Sequence, residues 1–277
     1  MKYQKAVSLI IGLLLFFVGI CQQVYIIPKQ TFNPYKVLGF VDVGIDEWNK
    51  GETNFKMEID CFEISSQINF KQYKEYLDAI KKDSSNGFYL SQLPDSAITS
   101  KENYKDYISN KKYDDFPVAG ISWEAALNYC KWRTLKENKG TGLNFIYRLP
   151  KLGEWLAAYN FLEKSNSQND FSKNYSDWTM NTYYDGFSYK RDSVFVYGMP
   201  ITLPNQKDWT RDKRKIVMGD SYLFQREILR RHFSSYYSSN GYRQIAFRLV
   251  KEKVNETVDK WYLPKRIIAW WGIEIKK

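Results

Sequence analysis

Phe116-Pro117-Val118-Ala119-Gly120-Ile121-Ser122-Trp123-Glu124-Ala125-Ala126 is the stretch that decides how this chain folds, together with Asn128-Tyr129-Cys130-Lys131-Trp132-Arg133, Tyr147-Arg148-Leu149-Pro150 and Gly153-Glu154-Trp155. It encodes two helices. Ser122 stands just before an apolar-periodic run, where a hydroxyl accepts from an otherwise unpaired backbone N–H. Glu124 puts negative charge in the first turn, which the helix dipole favours. Trp123, Ala126, Leu127 and Cys130 then recur at helical spacing on one face. The second helix is expected after Pro150, a residue tolerated at the first helical position. Its stripe is Trp155, Ala158, Tyr159 and Leu162. Between the two, Lys136 to Leu143 is polar and contains glycine, which reads as a loop.

Working outward, Phe55, Met57, Ile59 and Cys61 alternate with charged residues, the period of a half-buried strand. That period points Cys61 into the core, as an inert packed thiol. Phe70, Tyr73, Leu77 and Ile80 form a helical stripe with Asn69 as its cap. Lys81 to Asp115 is polar, and Ser84-Ser85-Asn86-Gly87 marks a turn or loop. On the other side, Asn181 to Lys215 is rich in Tyr, Phe, Asp and Lys and reads as an insertion. Ile245, Phe247 and Leu249 alternate, as in a core-lining strand. Trp261 to Trp271 is an apolar, aromatic, Lys-flanked tail that packs back on the domain, docks on a partner, or lies at a membrane interface.

The 277 residues allow one large domain or two small ones. Aromatic residues make up 17% of the chain, which suits a core filled by large rings around little regular structure. The net charge of +10 admits an acidic partner, but the Lys and Arg residues are scattered, so a well-solvated basic surface is the preferred reading and no nucleic-acid partner is expected. Three cysteines, Cys21, Cys61 and Cys130, show no paired spacing. A single histidine, His232, excludes any metal site that needs two imidazoles. It stands among Arg230, Arg231 and Phe233 with no carboxylate or nucleophile close in sequence, so it reads as a surface or hydrogen-bonded residue, not a general base. No phosphate loop, nucleophile elbow or paired-carboxylate motif is present.

The N-terminus carries Lys2 and Lys5 and then an apolar run from Ala6 to Cys21, short for a spanning helix. It reads as a secretory signal, with three outcomes open: cleavage near Cys21 to a soluble protein, acylation of Cys21, or retention as an anchor. Ile20 is larger than the residue that bacterial lipidation prefers. All three place the body outside the cytoplasm, in the periplasm or at the outer membrane. The organisation expected is residues 1–21 as signal or anchor, 22–38 as lead-in, 39–250 as the main domain and 251–277 as the tail.

The central stretch carries a family resemblance. "PVAGISWEAALNYCKWR" (117–133) and "YRLPKLGEWLAA" (147–158) are similar to the core signature of formylglycine-generating enzyme (sulfatase-modifying factor) domains. Gly39 to Gly44, Glu63-Ile64-Ser65, Val217 to Tyr222 and Gly241 to Val250 resemble further family segments. Leu93 to Ser96 and Lys112 to Val118 resemble segments of the gliding-motility and type 9 secretion envelope proteins of Bacteroidota. The resemblance implies an α+β fold of the C-type lectin-like kind, irregular and loop-heavy. The family's enzymes oxidise a substrate cysteine using copper(I) held by two cysteines between the Gly-Ser motif and the last strand. Here that window, Ser221 to Phe247, contains no cysteine, so no catalytic residue is assigned and copper is not expected. Asn174 and Asp177 fall on motif positions near a structural calcium in the family; they hold either that ion or a turn through side-chain to backbone bonds. The expectation is a non-catalytic component of an envelope assembly that binds other envelope proteins through the former active-site face: Tyr222, Phe224, Arg230, Arg231, His232, Tyr236 and Tyr237. An enzyme with a rewired site and a lectin-like carbohydrate binder are the alternatives.

Overall fold

The computed structural model describes residues 23–37, 56–140, 144–164, 171, 175–182, 195–196, 199–200, 214–219 and 233–254. Of the expected site residues, Cys21, Asn174, Tyr222, Phe224, Arg230, Arg231 and His232 lie outside them, as does the tail beyond Val254.

The described residues begin as an antiparallel ribbon. β1 (Val24–Ile27) pairs with β4 (Phe62–Ser65), and β2 (Gln30–Phe32) pairs with β3 (Met57–Ile59). Ile27 faces Phe62 and Gln30 faces Ile59, three residues further along each chain, so both ladders keep one register. The break between them falls at Pro28, which has no N–H to donate. Cys61 stands opposite that break and is exposed, which corrects the packed-thiol expectation. The alternation that begins at Met57 ends with the strand at Ile59, so the period no longer governs Cys61. The ribbon also makes structure of residues that read as lead-in.

Two four-stranded sheets organise the rest. The first has the order β1-β4-β12-β5, with β5 at Phe145–Arg148 and β12 at Val250–Lys253. The second has the order β10-β9-β6-β11, with β6 at Ser176–Thr182, β9 at Arg214–Met218, β10 at Phe233–Tyr237 and β11 at Ile245–Ala246. A short hairpin, β7 (Phe195–Val196) and β8 (Met199–Pro200), falls within the expected insertion.

After the four-residue α1 (Pro34–Val37), helix α2 spans Phe70–Asp83 and opens with the expected Asn69, in a reciprocal cap with Gln72. Helix α5, Trp123–Glu137, starts at Ser122, whose hydroxyl accepts from the Ala125 N–H at 3.1 Å. Helix α6, Leu152–Lys164, begins two residues beyond Pro150. Its first-turn Glu154 reaches back to accept from the Lys151 N–H at 2.7 Å and takes a two-pronged bond from Arg148 at 2.7 and 2.6 Å. The Arg and Glu of the central stretch therefore lock β5 to the start of α6, a geometry in which a guanidinium is at its strongest.

After α2, the polar stretch to Asp115, in which the sequence marks only a turn or loop at Ser84 to Gly87, folds into helices α3 (Asn86–Ser91) and α4 (Lys101–Ser109) and two 3-10 turns. Each has its own cap: Ser85, Ser100, Asp95 and Asn110. Tertiary contact secures α4. The Tyr104 hydroxyl donates to Pro94 O at 2.6 Å, and Tyr107 packs on Phe70 with ring centroids 4.8 Å apart.

Two cores result. One holds the faces of α2 and α5 with Trp178, Val217, Ile245, Phe247 and Leu249. The other holds α6 with Ile27, Ile64, Val250, Ile216 and Met218. Strand β9 serves both, because its side chains alternate: Val217 enters the first core while Ile216 and Met218 enter the second. The expected alternation at Ile245, Phe247 and Leu249 places all three in the core, but Ala246, Arg248 and Val250 are buried too. Regular strand is confined to Ile245–Ala246 and then resumes at Val250.

Candidate functional site

The signature segments meet at the N-terminus of α5. Gly120 has φ +79°, a conformation that favours glycine, and its carbonyl accepts from the Asp95 N–H at 2.8 Å. Its N–H donates to Tyr242 O at 3.0 Å. Gly241 lies so close that a methyl placed on it would stand 1.8 Å from Gly120 O. The turn Ser238 to Tyr242 therefore sits directly on the Pro117–Ser122 segment. Ser238 O accepts from the Trp123 N–H at 3.0 Å, and the Ser238 hydroxyl donates to Glu124 at 2.5 Å. Helix-end donors that lack an intrahelical partner are met in this way by a loop more than a hundred residues away. Two indoles tie the same region together. Trp123 donates to Thr179 O at 2.7 Å, and Trp178 donates to Ile121 O at 2.9 Å.

On the outside of this junction is an aromatic surface. Tyr236 packs on Tyr242 with centroids 4.6 Å apart, and Gln244 donates to the Tyr236 hydroxyl at 3.1 Å. The ammonium of Lys215 lies 4.1 Å from the centroid of the Trp123 ring, a cation–π contact. Tyr237, at the end of β10, is 57% exposed. One of the expected surface residues, Tyr236, is thus brought beside Lys215 and Tyr242, with Trp123 under the Lys215 ammonium, none of which the sequence selects; Tyr237 follows on the other face of β10, opposite Arg214. Trp123 falls on the helix stripe by spacing, but it is only half-buried. The Ser-Ser-Asn-Gly-Tyr turn (238–242) was the available signal for the others. Aromatic faces, a cation and a loop edge can bind; they supply no nucleophile paired with a base.

Asp177 has a different place. It is fully buried, and Arg248 is 3% exposed. The Arg248 Nε donates to Asp177 Oδ2 at 2.7 Å, Trp155 Nε1 donates to the same oxygen at 3.0 Å, and Gln67 donates to Oδ1 at 2.8 Å. The rest of the guanidinium donates to Phe171 O and, at 3.4 Å, to Ser65 O, and stacks 4.0 Å from the Phe171 ring centroid. The carboxylate neutralises a buried cation and joins β6, α6 and the last core segment. Among the described residues, no group of three His, Cys, Asp or Glu side chains could hold a metal ion.

Cys130 is 2% exposed on the inner face of α5, and burial pushes its thiol well above the usual range. A desolvated thiol of this kind is a poor nucleophile and a poor metal ligand. Both Cys61 and Cys130 are unpaired, one at the surface and one in the core. The thiol pair that copper(I) needs is therefore not assembled from the described cysteines, and the described residues do not fit that ion.

One antiparallel and one mixed sheet, capped helices and a loop-built surface define an irregular α+β domain. The chain belongs to the sulfatase-modifying factor enzyme 1-like domain family, which matches residues 38–253. No curated protein matches it. Similar solved structures include that of CarF, at 14% identity over 85% of this chain and 99% of that one, with a TM-score of 0.49. PvdO from Pseudomonas aeruginosa is similar at 14% identity over 84% of this chain and 95% of that one, with a TM-score of 0.48.

Proposed function

We propose that this chain is a non-catalytic member of its family, a structural or protein-binding component of a bacterial cell-envelope assembly. The observation that carries this reading is the absence of cysteine from Ser221 to Phe247, where the family's oxidases place both copper-binding thiolates. The burial of Cys130 supports it, since the remaining core thiol is sealed from substrate. The aromatic surface supports the binding half: Tyr and Trp are enriched among the few residues that carry most interface energy. The finer reading places the assembly in gliding motility or type 9 secretion, on the segments Leu93 to Ser96 and Lys112 to Val118.

Two measurements test it. Purified protein is titrated with copper(I) against a competing chelator and incubated with a thiol peptide under oxygen. The expected result is no tight one-to-one uptake and no aldehyde by mass spectrometry; tight uptake with aldehyde formation overturns the proposal. A variant combining Arg230→Ala, Arg231→Ala and Tyr237→Ala is compared with the natural chain in affinity capture from envelope extract. Loss of a reproducible subset of partners is expected, and an unchanged set removes this surface from the function.

A further inference from the structure

The folded body starts almost at the end of the apolar N-terminal run. That run ends at Cys21, and Gln23 is already fixed to the body, its carbonyl accepting from the Ser66 N–H at 2.7 Å. Only Gln22 lies between. Strand β1 follows at once and is an edge of the first sheet. Its inward residues, Tyr25 and Ile27, pack in the second core, while Val24 and Ile26 are 51% and 74% exposed on the other face. Two aliphatic side chains therefore point outward, side by side, next to the most hydrophobic segment of the chain.

We propose that β1 lies against a lipid bilayer. The N-terminal run stays with the membrane, through retention or through acylation of Cys21, and Val24 and Ile26 enter the headgroup layer. The domain is then held flush on the surface instead of on a flexible tether. Two extended residues span at most about 7 Å, and each headgroup layer is about 5–7 Å thick. A chain with Cys21 at the hydrocarbon boundary thus leaves Gln23 within about 2 Å of the outer edge of that layer at the furthest. The neighbouring charges do not select the lipid. Lys29 is held by Glu58 at 2.5 Å and Asp60 at 3.4 Å, and Glu63 stands across from Ile26. The docking is apolar, with the net charge of +10 adding a general attraction to anionic headgroups. It does not depend on the partner-binding reading, and failure of either leaves the other standing.

The full chain, carrying Ile26→p-benzoylphenylalanine or, as control, Leu90→p-benzoylphenylalanine on α3, is reconstituted in phosphatidylethanolamine–phosphatidylglycerol vesicles and irradiated. Both positions are exposed in the fold, and a thermal melt checks that each variant is folded. Phospholipid adducts are expected at least about ten-fold more often at position 26, the ratio that corresponds to 1.4 kcal/mol of preference. Equal, low adduct yields at both positions on vesicle-bound protein overturn the proposal. So do protein adducts in place of lipid at 26 in whole cells, or a mature chain that begins after Cys21 with no acyl group.

Discussion

Replacing Arg248 by methionine tests the packing logic of the whole domain. Methionine preserves much of the side-chain volume but leaves the Asp177 carboxylate, fully buried, with only Gln67 and Trp155 as donors. It also removes the donors to Phe171 O and Ser65 O. Breaking a buried pair by removing one partner costs about 3–5 kcal/mol, a large part of the about 5–15 kcal/mol that holds a typical domain. At a urea slope of about 2–3 kcal/mol per molar, the midpoint falls by about 1–2.5 M. The assay is equilibrium urea unfolding followed by tryptophan fluorescence, since Trp155 reports from the site itself. Adding Asp177→Asn removes the stranded charge, so the double variant is expected to lose less than the two single losses combined, with a coupling of about 2 kcal/mol or more. The reasoning is refuted if Arg248→Met costs under about 1 kcal/mol, or if the two losses simply add.

Gly241→Ala is expected to destabilise by more than about 3 kcal/mol, because its methyl would meet the Gly120 backbone and not a movable side chain; a calorimetric midpoint near that of the natural chain would contradict this. Under native conditions, maleimide labelling mapped by mass spectrometry should find Cys61 within minutes and Cys130 only after unfolding. Burial lowers the Lys131 ammonium from 10.5 to about 8. Its folded value lies below its unfolded one, so the fold carries a penalty below about pH 8 that is relieved as pH rises towards 10.5. The stability of the natural chain relative to Lys131→Met should therefore rise between pH 8 and pH 10, and a flat difference would dismiss the effect. Chelation with EDTA should leave the thermal midpoint unchanged, since both Asp177 oxygens are already engaged by protein donors.

Helices α2, α5 and the body of α6 were legible because their signals are local. Asn69 and Ser122 act within one turn, and apolar side chains recurring at helical spacing allow one conformation only. The helices between Lys81 and Asp115 were not legible, because their polar faces mask the few tyrosines that anchor them to distant carbonyls. At the candidate site, Tyr236 and Tyr237 could be selected from their neighbourhood, whereas Lys215 and Tyr242, and Trp123 through Lys215, join Tyr236 only through strand pairing and the turn at Ser238.

The sequence by itself determined the family, through the order and spacing of residues 117–158, and it determined that no thiol stands between Ser221 and Phe247. Both are properties of covalent order. Only the tertiary structure decided that Cys61 faces outward, that Arg248 is buried on Asp177, and that β1 forms an edge with two bare aliphatic residues. Each of these is set by which segments far apart in the chain come to lie side by side, and a strand's period says which residues share a face but not which face is covered.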